Sequence, residues 1–424
     1  MNDPRTSRRQ FLFQSAGMLL TGAALAQSPP PRRICVAALW HTVNIGDIAH
    51  GPGLARLIER HLPGVEVSFW PRRPPTPEIR AMLARALPKV RVIEGAVSEG
   101  GQPSSPEFAA ALAQCHLMIL GSGGYHDSPV RHWRKVSQRP FGVFGNGFES
   151  MTSMAPDLAE RLNAAQFIYA RETLSADALK RFGITAPGRT FCPDSTFGFD
   201  MRDEKRADEL LARTGLEPSK FICVIPNLRY TPHWKAYGQK PTEKDLRGEK
   251  MSKEFKAKDH AAVRETIVAW VRQTGLKVLA CPEMTYQMEL AKEQWIDPLP
   301  DDVKRNVAWK EKFWMPDEAA AVYARALAVV SLECHSPIIA LANGTPAIHI
   351  QLPTDTRKAQ MFQDIGVGEW LHEVAALDGP KLTTQVLEIH ANSQAARAKV
   401  KAAMDRVNGI YKDVFTRVAE AIRV

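Results

Sequence analysis

Glu333 and His335 stand two residues apart in Val329-Val330-Ser331-Leu332-Glu333-Cys334-His335-Ser336-Pro337, an apolar run that passes through a short loop into a helical pattern. In open α/β sheets ligands bind outside the carboxyl ends of the strands, so a carboxyl and an imidazole at this junction are placed for acid–base work. Ser336 is expected to cap the helix and Pro337 to be its first residue. Glu333 and His335 then lie in the crevice, at a helix N-terminus suited to anions. Cys334 is a rival nucleophile, but its sequence neighbours supply no activating group.

Other strand ends carry polar turns. His41-Thr42-Val43-Asn44-Ile45-Gly46-Asp47 follows the first strand. Gly46 permits a close approach there, and Asn44 and Asp47 can orient the turn or hold a ligand hydroxyl. Gly121-Ser122-Gly123-Gly124 exposes backbone N–H groups to anions or sugar hydroxyls, with Gly123 and Gly124 at its tip. Gly145-Asn146-Gly147 is a third small mouth, in which Asn146 is the polar residue. Arg229, after the strand Phe221–Ile225, can grip a carboxylate or phosphate with two parallel bonds, or can be a surface ion pair. None of these stretches is Gly-x-Gly-x-x-Gly or a P-loop. There is no His-Glu-x-x-His, no Cys-x-x-Cys and no paired Cys/His spacing, so neither a metal nor a cofactor is expected.

The elements that must position these residues read as two successive β/α series. Strands are expected at Ile34–Leu39, Val65–Trp70, Val90–Ile93, Leu117–Leu120, Phe141–Phe144 and Phe167–Ala170. A second set covers Phe221–Ile225, Lys277–Ala280, Asn306–Trp309, Ala328–Leu332 and Ala347–Ile350. Helical patterns alternate with them, among them Pro337–Asn343 and Lys358–Ile365, with Pro at several first-turn positions. The fold class is therefore α/β, with two Rossmann-like parallel-sheet domains, residues 33–200 and 201–390, and a terminal helix over 391–424. Residues 230–259 break the pattern. They are polar and rich in Lys and Glu, and read as a mobile insertion, either a solvated surface loop or a lid over the cleft.

Of the 424 residues 45% are hydrophobic and 24% charged, which excludes a collagen, a coiled coil, a disulfide scaffold and a disordered tail. Net charge is 55 − 46 = +9, favouring an anionic partner; without a Lys/Arg tract or a nucleic-acid motif, nucleic acid is not expected. Ser7-Arg8-Arg9-Gln10-Phe11-Leu12, a short apolar stretch and Ala24-Leu25-Ala26 read as a twin-arginine leader over residues 1–26, followed by a linker over 27–32. The expected location is periplasmic or secreted. The mature chain would carry no integral membrane segment, since no later run reaches the ~20 apolar residues a span needs. The six cysteines are scattered and read as buried thiols rather than a disulfide framework.

Taken in order, four stretches resemble the polysaccharide pyruvyl transferase family: Asn44-Ile45-Gly46-Asp47, Gly121-Ser122-Gly123-Gly124, Ala170-Arg171-Glu172-Thr173-Leu174-Ser175, and Cys334-His335 running to Ala340 and Gly344-Thr345-Pro346. Lys358 and Gly366 resemble the Lys and Gly that follow. The resemblance implies a two-domain fold of the GT-B type and transfer of a pyruvyl ketal from phosphoenolpyruvate to two sugar hydroxyls. It implies a glycan acceptor held by the N-terminal turns and a small anionic donor. His335 would be the acid, and Arg229 and Lys358 the anion clamps. Glu333 stands where the family often has Arg; a carboxylate there raises a neighbouring imidazole's pKa but repels an anionic donor unless a cation pairs with it. Two alternatives stay open. One is a glycosyltransferase or other glycan-processing enzyme on the same fold, with Glu333 and His335 as base and acid. The other is a glycan-binding protein without donor chemistry.

Overall fold

The computed structural model describes residues 31–38, 41–148 and 151–423. The expected leader lies outside the described residues. Strands β1 (Arg33–Ala38), β2 (Glu66–Pro71), β3 (Arg91–Val92), β4 (Leu117–Leu120), β5 (Gly123–Gly124), β6 (Phe141–Gly147), β7 (Ile168–Ala170) and β8 (Gly188–Phe191) form the first sheet. Its order is β3-β2-β1-β4-β6-β7-β8, with the short β5 beside β6. The second sheet comprises β9 (Phe221–Ile225), β10 (Lys277–Ala280), β11 (Val307–Trp309), β12 (Ala328–Ser331), β13 (Ala347–Gln351) and β14 (Leu371–Glu373), in the order β11-β10-β9-β12-β13-β14. Neighbouring strands run parallel in both, as helical crossovers require. The central strands β1, β4, β9 and β12 are buried along almost their whole length, which is why they read as unbroken apolar runs rather than alternating ones.

Four helices matter for the site: α1 (Ile45–His61), α2 (Glu243–Thr274), α3 (His335–Ala342) and α4 (Ser393–Ala421). In α1, Asn44 is the N-cap, and its side-chain oxygen accepts from the backbone N–H of Gly46 and Asp47. Helix α4 returns from the second half to the first, where Phe415 packs on Phe144 and His61, and Tyr411 is fully buried. No helix of the described residues is long and apolar enough to cross a membrane.

Two expectations fail here. The insertion expected over 230–259 is mostly helix: α2 begins at Glu243, sixteen residues before its buried stretch at Asp259 and His260. Its first half buries only Gly248 and Ser252, so no apolar stripe marks it. A reciprocal cap between Thr242 and Asp245 starts it, and the Tyr230 hydroxyl donates to Asp245 at 2.6 Å. The second failure is the cap of α3. The helix starts at His335 itself, and Ser336 is inside it rather than capping it.

His260 of α2 donates from Nδ1 to the Lys256 carbonyl, and burial pushes it down to about 4. Burial likewise pushes His349 of β13 down to about 4. The unfolded chain takes up protons at both rings near pH 6.5, whereas the folded chain does not until about pH 4. Stability present above pH 6.5 is therefore lost as the pH falls from 6.5 towards 4, by roughly 3 kcal/mol per ring at most. Thermal melts across this window should show the decline, and His260→Phe should make its slope shallower. An unchanged slope would place the titrating groups elsewhere.

Candidate active site

Three chain segments meet between the two sheets. The first is the N-terminal turn of α1, bearing Asn44, Gly46, Asp47 and, one turn on, His50. The second is β12 and its exit, bearing Glu333 and His335. The third is the turn after β10, residues 283–287. The first and third are joined by backbone hydrogen bonds, from Ile45 N to Glu283 O at 2.9 Å and from Thr285 N to Val43 O at 3.1 Å. A Cβ on Gly46 would lie 2.2 Å from Cγ and Nδ1 of His335, so the absent side chain is what admits the imidazole. Gly53 permits a second close approach about two turns later, since its Cβ would meet the Ser195 carbonyl at 2.2 Å. That contact seats α1 against the turn carrying Asp194.

The Glu283 carboxylate organises the centre. Its Oε1 lies 3.1 Å from Nδ1 of His335, and its Oε2 accepts from the backbone N–H and hydroxyl of Ser336 at 2.6 and 2.8 Å. It thus caps α3 from 53 residues away. Gln287 Oε1 accepts from the N–H of Glu283 and Met284, which turns its amide nitrogen onto Glu333 Oε1 at 2.7 Å. On the far side of His335, Nε2 lies 3.3 Å from Nε2 of His50, which is 3.2 Å from Oδ2 of Asp194. Asp194 Oδ1 accepts from the N–H and hydroxyl of Thr196.

The two glutamates are pushed apart. Burial opposes ionisation of Glu283, but the His335, Lys358 and Ser336 partners win and hold it down at about 2. Burial and the Glu283 charge drive Glu333 well above the ordinary carboxyl range. Such a split separates a fixed anion from a neutral acid. His335 is lowered, by burial and then by Lys358. His50 is raised despite its burial, because Asp194 and Asp47 face it. Burial pushes the Cys334 thiol up to about 12, which removes it as a nucleophile.

A cavity of about 250 Å³ opens over this cluster. Of the residues singled out in the sequence, Asn44, Asp47, Gly123, Gly124, Glu333, His335 and Lys358 line it, and Gly46 lies against the His335 ring. Lys358 is half-buried, and no described residue takes a hydrogen bond from its ammonium; acidic groups around it, Glu333 and Glu283 among them, raise its pKa. Two assignments are corrected. Arg229 does not reach the cavity: its guanidinium is bidentate to Asp259 at 2.7 and 2.8 Å and covers the Phe255 ring at 3.7 Å. The ion-pair reading holds, and the anion-clamp reading does not. Asn146 is fully buried and donates to the carbonyls of Gly121 and Phe144, so it fixes the Gly-rich turn instead of meeting a ligand.

Sequence reasoning missed His50, Asp194 and Glu283 and gave Arg171 no ligand role, although Arg171 lines the cavity. His50 was findable, lying three and four residues after Asp47 and Gly46 on one face of α1. The segment after β9 also reaches the site. Thr231 and His233 line the cavity, His233 stacks on His41 with centroids 4.7 Å apart, and the Tyr237 hydroxyl accepts from Thr42 N–H.

The family model for polysaccharide pyruvyl transferase matches residues 44–352, most of the chain. The chain belongs to the polysaccharide pyruvyl transferase family. No curated protein matches it in sequence. Among solved structures it is similar to the UDP-GlcNAc 2-epimerase from Methanocaldococcus jannaschii (TM-score 0.53, 10% identity, 85% of this chain and 93% of that one). An Anabaena protein in complex with UDP-glucose gives TM-score 0.53 and 10% identity over 92% and 98%. The E. coli ADP-heptose lipopolysaccharide heptosyltransferase II gives TM-score 0.50 and 11% identity over 85% and 99%. These likenesses show the fold, two parallel-sheet α/β domains in the GT-B arrangement. With the family match, they make the chain a glycan-modifying transferase. The pyruvyl transferase block after His335 has a structural logic: Gly344, at φ +83°, turns the chain out of α3, and the buried Thr345 hydroxyl donates to the Tyr323 carbonyl.

Gly46→Ala should displace the His335 ring. Turnover should fall by about 10²-fold or more, as a displacement of roughly 1 Å allows, while far-ultraviolet circular dichroism stays native. Wild-type turnover in that variant would place the chemistry elsewhere.

Proposed function

We propose that this chain transfers a pyruvyl group from phosphoenolpyruvate, as a cyclic ketal, to two hydroxyls of a cell-envelope or extracellular glycan. Its work would be done outside the cytoplasmic membrane, as the Arg8-Arg9 leader suggests. The observation that carries the reading is the unpaired Lys358 ammonium facing the same cavity as Glu333, in a chain of this family. Lys358, with Arg171 on the same wall, supplies cations for the donor's phosphate and carboxylate. The turns at Asn44–Asp47 and Gly123–Gly124 offer polar groups to the acceptor.

Both nitrogens of His335 are committed, to Glu283 and towards His50, whereas Glu333 has one oxygen fixed by Gln287 and the other unbonded. We therefore assign proton delivery to Glu333 in place of the His335 role that the resemblance implied. Glu333 protonates the donor methylene, the first sugar hydroxyl adds to the adjacent carbon, and the second displaces phosphate. One hydroxyl proton restores Glu333 and the other leaves with phosphate, so protons and charge balance. Glu333 in the family's usual Arg position supports a second reading, glycan binding without transfer.

Calorimetry with phosphoenolpyruvate and mass spectrometry of the acceptor test both. Lys358→Met should weaken donor binding at least about tenfold, the cost of one charged hydrogen bond. Glu333→Gln should leave binding intact and lower turnover by about 10²–10⁴. A wild-type chain that does not bind phosphoenolpyruvate would overturn the proposal, and acceptor binding with no gain in mass would favour the second reading.

A further inference from the structure

We propose that His50, Asp194 and His335 bind one divalent transition-metal ion, zinc first among them, at the floor of the cavity. Nε2 of His50 is 3.3 Å from Nε2 of His335 and 3.2 Å from Oδ2 of Asp194, and the three residues each offer a donor atom within 4.8 Å of the other two. Ligands about 2.0–2.1 Å from a tetrahedral ion are spaced about 3.3 Å apart, so these separations are those of a coordination edge. Two imidazoles and a carboxylate are also a donor set that borderline divalent ions take.

Proton arithmetic points the same way. Nδ1 of His335 faces the Glu283 carboxylate and carries its ring's proton there, which leaves Nε2 a bare lone pair. Asp194 Oδ2 is a second lone pair, buried and accepting no hydrogen bond from any described residue. One proton on His50 cannot serve both. Buried acceptors left unserved are costly, whereas a dication between three lone pairs serves them all.

The surroundings are those of a built site. Glu283 fixes the tautomer and tilt of His335, and Thr196 fixes Asp194 through its other oxygen, the outer contacts that hold metal ligands in place. Asp194 and Glu283 provide the two negative charges a dication needs. His50 and His335 also border the cavity, so a fourth coordination position faces the substrate space, as in catalytic rather than structural zinc sites. The expectation of no metal rested on sequence spacing, which cannot register such a site: 285 residues separate the two histidines. It does not depend on which donor the enzyme uses.

The test needs no substrate. The full chain is equilibrated with zinc, desalted and assayed by elemental analysis, and cobalt(II) is substituted for a visible spectrum. One equivalent of zinc and the intense bands of four-coordinate cobalt are expected. His50→Gln and Asp194→Asn should each reduce affinity more than a hundredfold, and Glu283→Gln by about 10–100-fold. Zinc should also raise the wild-type melting temperature, a readout independent of whether the variants fold. No retained zinc and no zinc-dependent rise in melting temperature would overturn the proposal and leave the cluster a proton relay. Failure of phosphoenolpyruvate binding alone would leave it standing.

Discussion

The Glu283 carboxylate accepts from His335 and twice from Ser336, while its own backbone carbonyl accepts from Ile45 and its N–H is held by Gln287. Each of the three segments that meet between the sheets contains this residue or is hydrogen-bonded to it. A carboxylate taken out of water is tolerable only when its lone pairs are filled and a positive dipole faces it, and here the N-terminus of α3 provides the dipole. The two halves of the fold are therefore fixed at this point by a charge that would be expensive to expose. That is a firmer constraint than apolar contact, because an imperfect geometry leaves the charge unpaid for.

From that fixed anion the rest of the site divides by charge. Towards His50 and Asp194 the groups are lone pairs facing one another. Towards Lys358 and Arg171 they are cations facing the cavity, with Glu333 held between by an amide whose orientation the backbone sets. A site of this shape separates the place where an anionic substrate is gripped from the place where electron pairs converge. The Gly-rich turn takes part structurally too, since Ser122 of that turn accepts from Ser195 N–H and so supports the residues flanking Asp194.

What could be read from sequence was local. Buried central strands announce themselves as apolar runs, and turns after them by Gly and Asn, so both sheets and seven of the cavity's residues were legible. What could not be read was a pairing across distance. Arg229 looked like an anion clamp because Asp259, its partner, lay in a stretch taken for loop, and that stretch hid its helix because the only side it buries there is Gly248 and Ser252. Ser336 looked like a cap because the real cap, Glu283, is carried by another segment. His50 showed its spacing from Asp47 but not its partners, and Asp194 was hidden in a turn whose role appears only when α1 is laid against it.

The last long helix adds a constraint in time rather than in space. Tyr411 is buried with its hydroxyl on the carbonyl of Asp194 at 2.7 Å, so a residue near the end of the chain steadies a site residue from its middle. Domains fold in order as a chain is synthesised, and the first sheet can assemble early. Its Asp194 turn nevertheless lacks one of its hydrogen bonds until a helix 217 residues further on has docked against it. Both sheets precede this helix in the chain, whereas the support of the Asp194 turn does not, so the centre is the last part of the fold to be made firm.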